Sequence, residues 1–185
     1  RETDKTNPLG VYGQTKLAGE EAIRHNCENH LILRTAWVYG RYGNNFVLTM
    51  LKLGAEREEI RVVADQIGSP TSARDLAVAI AHIVPQLTPL IAGTYHYTNS
   101  GVASWYDFAV AIFEEAREIE IPLKIQRVIP ITTAEYPTPA KRPAYSVLAC
   151  EKISKILGTT RPHWRVALRQ MLKDYQYEST NSFRR

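Results

Sequence analysis

Apolar and polar positions fall into alternating helical and strand-like stretches, the order expected of an α/β chain. Asn7 can cap a first helix and Pro8 suits its first position. Leu9, Tyr12, Leu17 and Ile23 then give a partial apolar face, broadened by Val11 and Ala18. Gly10, Gly13 and Gly19 each cost a helix about 1 kcal/mol against Ala, which points either to close approach by another group or to a weak helix. Leu31–Leu33 is a short apolar run of the kind found in buried parallel strands, ending in Thr35, Trp37 and Tyr39 before Gly40.

Asn44-Asn45 caps a helix from Phe46 to about Arg57, and a short strand follows over Glu59–Ala64. The polar loop Asp65-Gln66-Ile67-Gly68-Ser69-Pro70-Thr71 is either a turn or a set of groups able to contact a sugar or nucleotide. Thr71 or Ser72 caps a helix over Ala73–Val84 with Leu76, Ile80 and Ile83 as its buried stripe, His82 near the surface, and Pro85 and Pro89 at its end. A strand over Gly93–Asn99 carries His96 in a structural role, and Ser104 caps a strongly amphipathic helix over Trp105–Ile119. A strand is expected over Leu123–Ile131. The proline-rich loop Tyr136–Pro143 can be neither helix nor central strand. Tyr145–Cys150 reads as a short strand and Glu151–Leu157 as a helix closed by Gly158. The last helix is expected over Trp164–Tyr175, with a disordered tail after Tyr177.

The 185 residues suffice for one domain or two small ones, and 44% hydrophobic with 23% charged residues is ordinary globular composition. The net charge of +4 is small and scattered, without the clustered basic patch that nucleic acid needs; the terminal Arg184-Arg185 reads as a solvated tail. No apolar run approaches the roughly 20 residues of a membrane span. Cys27 and Cys150 have no metal-ligand spacing, and the expectation is two buried or partly buried thiols in a reducing, cytoplasmic setting.

Chemistry concentrates in Tyr12-Gly13-Gln14-Thr15-Lys16. On a helix, Tyr12 and Lys16 share a face one turn apart. An ammonium beside a phenol favours the phenolate, which suits a general acid, and a carbonyl oxygen receiving a hydride needs such a donor. Alone, Tyr-x-x-x-Lys is a weak pattern that more often marks a solvated face. Trp37, at a strand's carboxyl end, is either a ligand contact or a core aromatic. Lys141 and Arg142, held in the rigid loop, are either a grip for a diphosphate or two exposed cations.

The run Glu2-Thr3-Asp4, then Asn7-Pro8-Leu9-Gly10-Val11-Tyr12-Gly13-Gln14-Thr15-Lys16-Leu17-Ala18-Gly19-Glu20, resembles the extended short-chain dehydrogenase/reductase family. Arg34–Gly40, Gly43–Phe46, Asp65–Thr71 and Tyr136–Pro143 resemble, in order, its dTDP-4-dehydrorhamnose reductase branch. The resemblance implies an incomplete Rossmann-type parallel sheet plus a smaller α/β substrate-binding lobe. Residues 1–40 and 72–100 would be the Rossmann side, 41–71 and 101–178 the substrate lobe, and 179–185 a tail. It implies NADPH, or NADH, as cofactor and reduction of the C4 ketone of dTDP-4-dehydro-β-L-rhamnose, for bacterial surface polysaccharide such as the O-antigen of lipopolysaccharide. Tyr12 and Lys16 would be catalytic, and with Thr35 would meet the cofactor. Trp37 would touch the sugar, while Asn45, Phe46, Gln66 and Arg142 would meet the nucleotide diphosphate. Some family members hold Mg²⁺ through acidic residues at a dimer contact. Those positions fall on Arg74 and Asp174, and because an arginine repels a cation, Mg²⁺ is not predicted.

The family's Gly-rich phosphate-binding fingerprint and the Ser/Thr partner of its tyrosine are absent from this sequence. The expectation is a C-terminal portion that neither binds NADPH tightly nor turns over by itself. An unpaired apolar strand invites association, so swapping, a homodimer, or cover by a missing N-terminal cofactor-binding segment is expected. Alternatives of the same fold are a nucleotide-sugar epimerase or dehydratase and a non-catalytic binding subunit.

Overall fold

The computed structural model describes residues 1–139 and 142–182, with the backbone alone for 178–182. Lys141 and the Arg184-Arg185 pair lie outside the described residues. In chain order the elements are α1 (Val11–Asn26), β1 (Leu31–Arg34), β2 (Val38–Tyr39), α2 (Phe46–Glu56), β3 (Glu59–Val63), β4 (Ile67–Gly68), β5 (Thr71–Ser72) and α3 (Ala73–Ile83). Then come β6 (Gly93–His96), β7 (Ala103–Ser104), α4 (Trp105–Glu118), β8 (Arg127–Ile131), α5 (Glu151–Leu157) and α6 (Trp164–Ser182). The mixed α/β class is as expected from the sequence. Among the described residues no helix is long and apolar enough to cross a membrane.

The strands pair two by two. β1 runs parallel to β6 with Leu31 opposite Gly93 and Arg34 opposite His96. β3 runs parallel to β8 with Glu59 opposite Arg127. β2 and β5 make a short parallel pair, and β4 and β7 a short antiparallel one. Two apolar cores follow from this. The larger gathers Val47, Met50 and Leu51 of α2, Ile60 and Val62 of β3, Phe108, Ile112 and Phe113 of α4, and Leu168 and Leu172 of α6. The smaller joins Ala79 and Ile83 of α3 to Tyr95 of β6 and Ile153 and Leu157 of α5.

Side-chain capping accounts for the starts of α2, α3 and α4. The Asn45 side chain accepts from the Leu48 N–H, and Ser72 from the Asp75 N–H. Ser104 and Asp107 form a reciprocal capping box at α4. Gly158 closes α5 in the left-handed conformation, φ 64°.

Several expectations are corrected. The first helix starts at Val11, not at Pro8, because Gly10 is extended and provides no side-chain cap. Pro8 instead folds back over the first turn, and a Cβ at Gly13 would stand 2.9 Å from its own Cβ. That is the close approach its glycine makes possible; Gly10 and Gly19 meet nothing within 4 Å. α1 buries no residue: of the expected apolar face, Leu9, Tyr12 and Ile23 stand exposed and Leu17 is half-buried. In α3 the buried line is Ala79 and Ile83, and Ile80, one position round the helix, is 43% exposed.

The strand expected over Leu123–Ile131 forms only from Arg127, because the Lys124 and Ile125 N–H groups donate to the Gly54 carbonyl instead of a ladder. Within 145–150 only Tyr145 makes a bridge, to Ile67. The strand expected over Gly93–Asn99 ends at His96, because Asn99 turns its amide to the start of α3. Cys27 is exposed; only Cys150 is buried. No Pro or Gly follows Trp164, and α6 runs on to Ser182 through the first part of the tail expected to be disordered.

Candidate active site

Tyr12 and Lys16 occupy successive turns at the start of α1, both exposed, with the Lys16 Nζ 5.7 Å from the centroid of the Tyr12 ring. The helix carrying them is attached to the β1–β6 pair by charge instead of apolar burial. Glu20 accepts from Arg34 Nε at 2.7 Å and Nη2 at 2.6 Å, and also from Arg24 at 2.6 Å. The Arg34 guanidinium, and secondarily Arg24, holds the Glu20 carboxyl below the usual carboxylate range. Thr35 follows at the carboxyl end of β1 and is exposed.

Two residues on, Trp37 has a positive φ of 50°. Its indole lies flat on Trp105, centroids 3.5 Å apart and planes 8° from parallel. Trp105 in turn touches Phe46 at 4.6 Å between centroids.

Phe46, Gln66 and Arg142 come together on one cavity of about 550 Å³, with Thr49, Arg61, Trp105, Tyr136 and Thr138 also in its wall. Aromatic rings beside two guanidinium groups suit a planar base and an anionic linkage. Gln66 is buried and its amide donates to Thr133 Oγ1 at 3.0 Å. The next carboxylate, Asp65, accepts from the Thr133 hydroxyl and N–H, which holds its carboxyl below the usual range and ties the 65–71 loop to the 133 turn. Arg61 pairs with Glu135 at 2.9 Å on one rim.

No motif marks Arg61 or Trp105, although both stand in this wall. The alternation of β3 puts Arg61 on the face opposite Ile60 and Val62, a period-two signal that was available. Trp105 heads a helix whose amphipathic stripe masks it as core.

Asn45 is not in that wall. Its Nδ2 donates to the Gly40 carbonyl at 2.7 Å while its Oδ1 caps α2, so its side chain shapes the turn into the helix. It borders a second cavity of about 780 Å³, with Arg74, Asp75 and Asp174. There Arg74 Nη1 stands 3.2 Å from Asp174 Oδ2. Among the described residues no group of three His, Cys, Asp or Glu is placed to hold a metal ion. Neither Tyr12 nor Lys16 lines the cavity of Phe46, Gln66 and Arg142.

Residues 1–177 match the family described as the RmlD substrate binding domain. The chain belongs to that family. It is 48% identical over 175 residues to the dTDP-4-dehydrorhamnose reductase of Escherichia coli K12, covering 94% of this chain and 58% of that protein. It is 45% identical over 174 residues to the spore coat polysaccharide biosynthesis protein SpsK of Bacillus subtilis, again 94% against 58%. Among solved structures, the Bacillus anthracis dTDP-4-dehydrorhamnose reductase in complex with NADP superposes with TM-score 0.84 at 41% identity, over 94% of this chain and 58% of that one. The chain therefore spans a little under three fifths of the curated relatives it matches. The B. anthracis dTDP-glucose 4,6-dehydratase, at 11% identity and TM-score 0.71, shares the fold alone.

Proposed function

We propose that this chain is the substrate-binding portion of an NADPH-dependent reductase that converts dTDP-4-dehydro-β-L-rhamnose to dTDP-L-rhamnose. The observation that carries the reading is the Tyr12–Lys16 pair, exposed one turn apart on a helix of a chain 48% identical to the E. coli reductase. Phe46, Gln66 and Arg142 on one cavity support a nucleotide-sugar substrate. Trp37 is assigned to the sugar, and Asn45 acts through the turn it holds.

Tyr12, Lys16 and Thr35 are exposed and carry the hydroxyl and ammonium donors that a ribose and nicotinamide require, so the residues present fit one side of the cofactor. A nicotinamide held there would supply the hydride that C4 receives. Tyr12 gives its hydroxyl proton to the C4 oxygen, and Lys16 stabilises the phenolate left behind. A relative solved with NADP supports the nicotinamide assignment, with NADPH the form that reduces. Residues 1–40 and 72–100, joined by α5 through the smaller core, are assigned to the cofactor side; 41–71 and most of 101–178 go to the substrate lobe. The reaction is assigned to the cytoplasm, upstream of O-antigen-type surface polysaccharide.

The test uses the chain joined to its cofactor-binding portion. NADPH oxidation should depend on dTDP-4-dehydrorhamnose, and Tyr12→Phe should lower kcat by about 10²–10⁴-fold. Absence of oxidation with that ketone, or unchanged turnover in Tyr12→Phe, rejects the reading.

A further inference from the structure

Among the described residues only Trp37 and Glu120 combine a side chain with positive φ. A bulky residue rarely adopts that backbone unless its surroundings over-determine it. Three contacts do so here. The Thr71 N–H donates to the Trp37 carbonyl at 3.1 Å. Trp105, fixed at the start of α4 by the Ser104–Asp107 box, covers the indole face to face. Gly68 lies against the ring so closely that a Cβ there would stand 2.4 Å from its Cε2 and 2.7 Å from its Nε1. Only glycine leaves that space, although Gly68 itself has no left-handed backbone to explain it.

The geometry points to Trp105 and Gly68 as positioning residues for the sugar-recognising Trp37. Trp105 acts by stacking, and Gly68 by leaving room. Trp105 also stands in the wall of the Phe46–Gln66–Arg142 cavity, so the indole pair links that cavity to the end of β1. A side chain at Gly68 must push the Trp37 ring off its stack. Loss of the Trp105 ring removes the surface that fixes its plane. The inference rests on the function proposed above, since it takes Trp37 as the residue that meets the sugar.

The experiment has two arms. In the chain as it stands, the stacked indoles should give an exciton couplet in circular dichroism, lost in Trp105→Leu and reduced at least twofold in Gly68→Ala. In the reductase joined to its cofactor-binding portion, Gly68→Ala should raise KM for the ketone at least tenfold and leave KM for NADPH within twofold. In a Trp37→Leu background the same Gly68→Ala change should cost less than twofold, because the clashing ring is gone. An equal penalty in both backgrounds, or an unchanged KM for the ketone, overturns the inference. If the parent reductase does not consume the ketone, the functional reading fails instead. The couplet then decides the positioning alone, and its absence from the parent or survival in both variants rejects it.

Discussion

Arg34 grips Glu20 through two parallel hydrogen bonds, at 2.7 and 2.6 Å, and that fork fastens the helix of Tyr12 and Lys16 to the first strand. Both side chains are mostly covered, at 21% and 15% exposure, and α1 buries no residue. Glu20→Ala should therefore loosen α1 selectively. We expect amide exchange along 11–26 to quicken by about tenfold, about 1.4 kcal/mol of local stability. Exchange in α4 should stay as it was. Equal acceleration in both helices would assign Glu20 to the global fold.

Glu115 is 2% exposed on α4 and accepts from Arg165 Nε at 2.8 Å and from Arg169 Nε and Nη2 at 2.6 and 2.9 Å on α6. The two guanidinium groups, Arg169 first, hold its carboxyl below the usual range. Both arginines reach solvent, so they can rehydrate when their partner is lost. Glu115→Ala should cost about 2 kcal/mol, read as a lower urea midpoint at unchanged slope. A midpoint equal to the parent's would show that the clamp contributes nothing net.

Asn99 is fully buried and makes three links: its Oδ1 accepts from the Ser72 N–H at 2.7 Å, and its Nδ2 donates to Asp75 at 2.7 Å and to the Pro162 carbonyl at 3.2 Å. Asn99→Ala leaves the buried Ser72 N–H unpaired and takes a donor from Asp75, while the Pro162 carbonyl keeps the Ser100 N–H at 2.9 Å, and should cost about 2 kcal/mol. Thermal unfolding of the variant measures it, and a loss below about 1 kcal/mol would mean water replaces the amide.

His96 is 3% exposed on β6, and burial above all pushes its imidazole pKa below the ordinary value. The Glu2 carboxylate opposes that shift, while Arg34, opposite in the ladder, adds to it. The folded protein thus keeps His96 neutral where the unfolded chain takes up a proton. Stability is full above about pH 6.5 and falls as pH drops through the lowered folded value. Glu20 and Glu115, held low, lose their contributions in the same direction but only below the ordinary carboxylate range, about pH 4. His96→Phe should flatten the slope that begins as pH falls below about 6.5. A slope unchanged there would remove His96 as its source.

The helices were legible because their signals are local. Asn45, Ser72 and Ser104 each cap where their side-chain oxygen meets an early N–H, and Gly158 closes α5. What the sequence hid depends on distant partners. Pro8 looked like a first helical residue, but its ring is spent on Gly13. Lys124 and Ile125 looked like strand, but their N–H groups answer to Gly54. At the candidate site, Phe46, Gln66 and Arg142, which the family resemblance singles out, share a cavity. Asn45, adjacent to Phe46, faces a different one because a cap residue and the first residue of its helix point apart. The Trp37–Trp105 stack joins residues far apart in sequence, and no pattern along the chain announces it.

A helix held to its strand by a forked ion pair, with no side chain in either core, can melt while the rest stands. Warming this chain should give two events by site-resolved probes: early loss of order around Tyr12, then collapse of the α2–α4–α6 assembly. Among the described elements, the turn that carries Tyr12 and Lys16 would thereby yield to heat first, and their alignment would vary with temperature while both cores remain closed.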